Sequence, residues 1–144
     1  MISPKSRATP RKRKRVKKEH FNKKFYNSKA WRETRSSYLR SLQTRIQREA
    51  LKGYLTLRNG ERLSLQPHQV GYLLSLAFTP CEICLKLYAA EAYSEVMEGE
   101  DLDHIEKINP DDALDSAEWG DPFDHNNLQL LCKRHHARKS NRET

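Results

Sequence analysis

The sequence has few cysteines and no long apolar run. Its three cysteines, Cys81, Cys84 and Cys132, are an odd number, which argues against a disulfide framework and for a reducing compartment. No apolar stretch approaches the roughly 20 residues that a membrane-spanning helix requires. The basic N-terminus has no apolar segment of the kind found in secretory signals. We therefore expect a cytoplasmic protein with no membrane among its partners.

Apolar residues are scarce throughout, since they make up 36% of the 144 residues whereas 32% are charged. Such a chain has room for one domain with a modest core. Small polar domains of this kind often depend on a bound metal or a disulfide for stability. Because a disulfide framework is disfavoured, a metal site is the expected stabilising feature.

The net charge of +8 is concentrated in residues 1–24, which carry eleven Lys or Arg against one Glu. With so little apolar content this segment cannot offset its ordering entropy, so we predict that it is disordered in isolation. It is either a tail that favours solubility or an arm that binds nucleic-acid phosphates regardless of sequence. The second interpretation assigns these contacts to the densest basic run, which is Arg11, Lys12, Arg13, Lys14 and Arg15.

Apolar residues recur at helical spacing through residues 29–50, where Trp31, Leu42 and Ile46 fall on one stripe. This pattern predicts an amphipathic helix whose stripe faces the core. Gly53 is placed to terminate it, because glycine readily adopts the left-handed conformation found after many helices.

Two short runs, residues 54–58 and 61–65, flank Asn59-Gly60. That pair suits a two-residue type I′ turn, in which both central residues have positive φ, so we predict a β-hairpin. Pro67 then predicts the first turn of a second helix that ends near residue 77.

The next stretch is less regular. Thr79-Pro80 predicts a break just before the first cysteine pair. We place a further short helix over residues 88–97.

Four residues have the spacing of a zinc site. Cys81 and Cys84 are separated by two residues, and Cys132 and His135 repeat that gap 48 residues later. Three thiolates and one imidazole complete a closed, tetrahedral site of the structural type. A single Cys-x-x-Cys pair also occurs in redox proteins, but the second pair, ending in histidine, favours zinc.

Further motifs lie between and after the cysteine pairs. Leu102-Asp103-His104-Ile105 is followed by Asn126-Asn127-Leu128-Gln129-Leu130-Leu131 and then by a basic run from Cys132 to Lys139. With these motifs the segment 81–139 resembles the HNH endonuclease family, particularly its small phage-type members, and residues 25–35 resemble a stretch common in those members. The three letters of the family name correspond to His104, Asn127 and His136.

The sequence departs from the family pattern in two places. The position of the usual fourth zinc cysteine is taken by His135, a conservative change for zinc. About 30 residues, including the predicted hairpin and the helix at Pro67, separate the helix that contains Trp31 from Cys81. Residues 43–78 are therefore an insertion relative to the compact members, and they carry either partner or DNA contacts or an extension of the core.

The resemblance implies a role for each motif residue. His104 is the general base that accepts a proton from water. Asp103 and His136 are ligands of one catalytic divalent ion, Mg²⁺, Mn²⁺ or Ni²⁺. Asn127 fixes the long loop and orients the base.

Two further assignments concern the last helix. Arg138 and Lys139 either contact DNA phosphates or form an ordinary basic helix surface. Adjacent helical residues point about 100° apart, so one ion cannot easily bind both His135 and His136. The spacing from Cys132 assigns His135 to zinc and leaves His136 for catalysis.

The expected fold is α+β, a small ββα-metal core of the HNH (His-Me finger) type stapled by a structural zinc. We divide the chain into a basic arm (1–24), a helical lead-in with a short hairpin (25–78) and the nuclease core (79–144). The resemblance implies a DNA endonuclease that serves phage DNA processing or packaging, with a terminase or another packaging protein as a partner in the host cytoplasm. The alternative is a zinc-stabilised DNA-binding or scaffold module without catalysis.

Overall fold

The computed structural model describes residues 23–143 of the chain, and the basic run at 11–15 lies outside them. The described part is a mixed α+β protein with two separate two-stranded sheets, β1 with β2 and β3 with β4. None of its helices is long and apolar enough to cross a membrane. The elements are α1 (Lys29–Lys52), β1 (Tyr54–Thr56), β2 (Arg62–Ser64), α2 (Pro67–Ser75), α3 (Glu82–Ala89), β3 (Asp101–His104), a 3₁₀ turn (His125–Asn127), β4 (Leu128–Leu131) and α4 (Lys133–Glu143).

Contacts within the chain define two compact units, which we describe separately. The aromatic unit comprises residues 23–34 and His104–Asn127, and the helical unit comprises Arg35–Asp103 and residues 128–143. The aromatic unit is largely loop, whereas the helical unit holds both cysteine pairs and most of the regular structure.

Helix α1 confirms the predicted amphipathic helix. The Ser28 hydroxyl accepts a hydrogen bond from the Trp31 amide at 3.2 Å, which satisfies one of the free N–H groups at the helix start. At the other end Gly53 has a φ of +88°, the left-handed conformation that favours glycine. The buried residues of the helix are Trp31, Tyr38, Leu42, Ile46, Glu49 and Ala50.

The hairpin is present, but its predicted type I′ turn is wrong. Leu57 donates to the Glu61 carbonyl at 2.7 Å, so the loop has three residues, 58–60. Only Gly60 has positive φ, and the side chain of Asn59 instead accepts from the Glu61 amide at 2.9 Å. This is a turn closed by one left-handed glycine, the usual solution for a three-residue hairpin. The extra residue is Arg58.

Arg58 connects the hairpin loop to the rest of the helical unit. Its guanidinium donates to the Leu128 carbonyl, to the Tyr38 hydroxyl at 3.2 Å and to the Glu82 carboxylate at 3.3 Å. Glu82 in turn accepts from Tyr38 and from the Leu130 amide, both at 2.6 Å. Burial, followed by the Glu82 charge, raises the pKa of Tyr38 above its ordinary range. Arg58, which belongs to the insertion, therefore stabilises the start of β4 and the start of α3.

The prediction for α2 is confirmed in outline, whereas the prediction for α3 is wrong. Helix α2 begins at Pro67 as expected and ends at Ser75, two residues earlier than predicted. The predicted helix at 88–97 is wrong, because α3 starts at Glu82 directly after Cys81. The Cys81 sulfur accepts from the Cys84 amide at 3.5 Å and caps the helix. Helix α3 ends at Ala89, and Glu91 has a φ of +63°.

The chain leading into β3 packs tightly against β4. Gly99 donates to the Thr79 carbonyl at 2.9 Å, and Glu100 donates to the Leu131 carbonyl at 3.0 Å. A Cβ atom at Gly99 would overlap the fully buried side chain of Leu130, so the backbone or that side chain would have to shift within the core. The absence of a side chain at 99 is therefore a packing requirement.

We predict that Gly99→Ala destabilises the protein by about 1–3 kcal/mol, the usual cost of overfilling a packed core. Gly71→Ala is the matched control: Gly71 is exposed within α2 and has nothing near its missing Cβ, so alanine there should be neutral or stabilise by about 0.5–1 kcal/mol. Urea denaturation of both variants measures the difference, and equal midpoints would contradict the packing argument.

Candidate functional site

The helical unit contains a buried group of three cysteines and one histidine. The donor atoms of Cys81, Cys84, Cys132 and His135 all lie within 4.8 Å of one another. Nδ1 of His135 is 3.5, 3.6 and 3.2 Å from the three sulfurs, in that order. Ligands at zinc bond lengths on a tetrahedron have sulfur and nitrogen about 3.6 Å apart. The group predicted from spacing can therefore hold a structural metal ion such as zinc.

Burial of this cluster disfavours charge on its side chains. Burial raises the pKa of Cys81 to about 12 and also raises the pKa of Cys84. Burial, with help from the nearby arginines, lowers the pKa of His135, so its imidazole is neutral. A metal ion would displace thiol protons and offset the desolvation of three thiolates.

The cluster joins the starts of two helices. Cys81 and Cys84 lie at the cap and first turn of α3, whereas Cys132 immediately precedes α4. The His136 amide donates to the Cys132 carbonyl at 2.9 Å and continues α4 directly from the metal ligand. A metal held here would fix the direction in which α4 leaves the cluster.

We predict that the purified protein holds one zinc per chain and that Cys84→Ser loses it together with most of the folded structure. The zinc should also be released on acidification, because protons compete for the buried sulfurs. Elemental analysis and circular dichroism measure both effects. His136→Ala is the matched control, since it alters the adjacent imidazole and should keep its zinc. Loss of zinc from His136→Ala but not from His135→Ala would reverse the assignment of the two histidines.

A second polar cluster lies where β3 approaches α4. Nδ1 of His136 is 3.0 Å from Oδ2 of Asp101, and Nε2 is 3.6 Å from Oδ1 of Asp103. A carboxylate only accepts, so the Nδ1–H group of His136 donates to Asp101. In the neutral form of the ring, Nε2 and Oδ1 of Asp103 would both offer lone pairs, and a cation between them would bind both.

Asp101 was not singled out from the sequence. Burial alone would raise its pKa, but hydrogen bonds from Lys133 and His136 outweigh that effect and hold the pKa below its ordinary value. The sequence could have indicated Asp101, because it precedes Asp103 by two residues and residues two apart in a strand share a face. Asp101 therefore lies on the same face of β3 as Asp103.

Lys139 and Arg138 occupy different surroundings, although both were predicted to contact phosphate. Nζ of Lys139 is 2.5 Å from Oδ2 of Asp103. The Gln129 amide nitrogen lies 3.4 Å from the same oxygen. Arg138 is exposed, one residue away on α4. The structure thus joins Lys139 to a carboxylate and leaves only Arg138 at the surface.

His104 lies in the aromatic unit and is only 6% exposed. Its Nε2 is 3.0 Å from the Pro122 carbonyl, which fixes that nitrogen as the protonated one. The ring of Trp31 is centred 5.1 Å away, and those of Phe25 and Tyr26 are each 6.3 Å away. This aromatic surround was not predicted, although Phe25, Tyr26 and Trp31 belong to the stretch noted above for its resemblance.

Asn127 closes the long loop of the aromatic unit. Its side-chain oxygen accepts from the Glu106 amide at 2.7 Å, and its amide nitrogen donates to the carbonyls of Glu106 and Asp121 at 3.1 and 3.0 Å. A Cβ atom at Gly120 would overlap the Glu106 carbonyl and the Asn127 amide. Asn127 therefore joins two distant points of the loop, which requires both a donor and an acceptor.

We predict that Asn127→Asp destabilises the aromatic unit by about 2 kcal/mol or more, because the carbonyls of Glu106 and Asp121 lose their donor and face a negative charge. Both tryptophans, Trp31 and Trp119, lie in this unit, so tryptophan fluorescence during urea denaturation reports on it. Asn126→Asp at the exposed neighbouring position is the control and should change stability by less than about 0.5 kcal/mol. Equal loss in both variants would contradict a specific role for Asn127.

Comparison of the chain with protein-family models, with curated proteins and with solved structures finds no match in any of the three. The functional argument therefore depends on the residues and their geometry.

Proposed function

We propose that the protein is a metal-dependent DNA endonuclease of the HNH type, in which β3, β4 and α4 form a zinc-stapled ββα-metal core. The observation that carries the proposal is the pair formed by Asp103 Oδ1 and His136 Nε2, 3.6 Å apart. Asp101 holds the other imidazole nitrogen, as second carboxylates commonly do for metal-binding histidines.

The donor set suits a single hard divalent ion. Two ligand atoms at about 2.1 Å from one ion lie about 3.0–3.5 Å apart, close to the observed spacing. Asp103 and His136 would hold Mg²⁺, Mn²⁺ or Ni²⁺ and leave coordination positions for water and a phosphate oxygen. Such an ion would act as a Lewis acid that stabilises the charge on the phosphate and on the departing 3′ oxygen.

His104, the residue after Asp103 in the chain, is assigned the role of general base. Because Nε2 donates to the Pro122 carbonyl, Nδ1 would be the nitrogen that accepts a proton when the ring is neutral. That nitrogen would accept the proton as a water oxygen bonds to phosphorus and the bond to the 3′ oxygen breaks. The surrounding aromatic rings fix the orientation of the imidazole.

Basic residues would supply affinity for DNA without reading its sequence. The run at 11–15 and the exposed Arg138 would contact phosphates, and binding would weaken as salt increases. A role in phage DNA processing or packaging, beside a terminase, belongs to the same proposal and rests on the resemblance of the motifs.

Two observations favour a second candidate, a zinc-stabilised DNA-binding or scaffold module without catalysis. His104 is only 6% exposed, which limits the access of water to the proposed base. Asp103 also forms an ion pair with Lys139, which is compatible with a purely structural carboxylate. DNA binding without cleavage would distinguish this candidate.

Plasmid nicking tests the proposal directly. Wild-type protein that already holds its structural zinc should convert supercoiled DNA to the nicked form when Mg²⁺, Mn²⁺ or Ni²⁺ is added. Brief addition of EDTA in place of these ions should give no nicking. His104→Ala should reduce the rate by about 10²-fold or more, the usual contribution of a general base. His68→Ala, a histidine in α2 far along the sequence from either motif, is the control and should cut normally. DNA binding with no cleavage by any metal would support the second candidate instead.

Asp101 provides a separate test. We predict that Asp101→Asn lowers the affinity for the catalytic ion by about 10–100-fold, because an amide orients and polarises the imidazole less well than a carboxylate. The metal concentration at half-maximal cleavage measures this change. A lower maximal rate at an unchanged half-maximal concentration would contradict the assignment.

A further inference from the structure

Lys139 is the most enclosed cation of the cluster. Its side chain is 21% exposed and its Nζ lies 2.5 Å from Asp103 Oδ2, whereas Lys133, which pairs with Asp101 at 2.9 Å, is 71% exposed. Gln129 lies beside the same Asp103 oxygen at 3.4 Å. The two oxygens of Asp103 thus have different partners: one faces Lys139 and Gln129, and the other faces His136.

We propose that the ammonium group of Lys139 competes with the divalent ion for Asp103. This competition sets the metal concentration at which the Asp103–His136 site is occupied. This inference rests on the proposed function, because it takes Asp103 and His136 as the metal ligands. It gives Lys139 a different role from a simple phosphate contact.

Helix geometry places the competitor beside the ligand. Residues three apart on a helix share a face, so α4 presents His136 and Lys139 together toward Asp103. An ammonium group beside a carboxylate neutralises most of the charge that would attract a divalent ion, and it also repels that ion. Partial burial leaves this effect less screened by solvent than it is for Lys133.

A lysine that only positioned Asp103 would have the opposite effect. Removing such a residue would let the carboxylate rotate away from His136 and would weaken metal binding. The sign of the change in metal affinity therefore separates the two roles, and it can be measured without any cleavage.

The test is Mn²⁺ binding to the zinc-loaded full chain without DNA, followed by electron paramagnetic resonance. Lys139→Met should bind Mn²⁺ at least about tenfold more tightly than wild type, because the competing charge is lost. Lys139→Arg keeps the charge and should remain within about threefold of wild type. Lys52→Met, which removes an exposed lysine from the last turn of α1, is the control for the loss of one positive charge and should change the affinity by less than about threefold. Lys139→Gln keeps a hydrogen-bond donor for Asp103 and replaces the methionine variant if the latter loses its zinc or its fold.

The outcomes separate this inference from the proposed function. His136→Ala should abolish the Mn²⁺ site in wild type and in the Lys139 variants. If no variant shows a site that depends on His136, the proposed function fails. If the site exists but Lys139→Met and Lys139→Gln bind Mn²⁺ equally or more weakly than wild type, only the competing role of Lys139 is overturned.

Discussion

The arrangement of the helical unit depends on how the two halves of the Cys-Cys-Cys-His cluster are brought together. One half lies at the start of α3 and the other at the junction of β4 and α4. Without a cation, three buried thiols and an imidazole supply little attraction, whereas a tetrahedral ion supplies both bonds and a fixed angle between the helices. The Arg58–Glu82 contacts act on the same junction, because they hold the Leu128 and Leu130 backbone just before Cys132.

This junction explains how neighbouring histidines can have separate surroundings. His135 points into the buried cluster, where its pKa falls, and His136 points toward two carboxylates on β3. The rotation of about 100° between successive helical residues is sufficient to divide them. A shift of one residue in the start of α4 would move one histidine into the other's position and leave the second site without an imidazole. The position of Cys132 therefore determines which histidine faces each site.

Much of the helical unit follows from patterns that are local in the sequence. The apolar stripe of α1, the start of α2 at Pro67 and the spacing of the cysteines needed no tertiary information. The position of α3 was missed although its cap is also local: the Cys81 sulfur accepts from the Cys84 amide, and cysteine is not among the residues that usually cap a helix. Asp101 was overlooked because a lone acidic residue in an acidic stretch is not distinctive until a strand places it opposite His136. The rings around His104 come from residues nearly 80 positions away, and no local pattern predicts such contacts.

The separation of the cysteine pairs in the sequence makes folding of this region depend on the metal. Closing the loop of 47 residues between Cys84 and Cys132 costs conformational entropy, which the metal must offset before the two halves stay together. Asp101 and Asp103 lie inside that closed loop, so a chain lacking zinc would not keep them beside α4. Under the proposed function, molecules without zinc would lack the cutting centre, and their unfolded chains would be open to proteolysis.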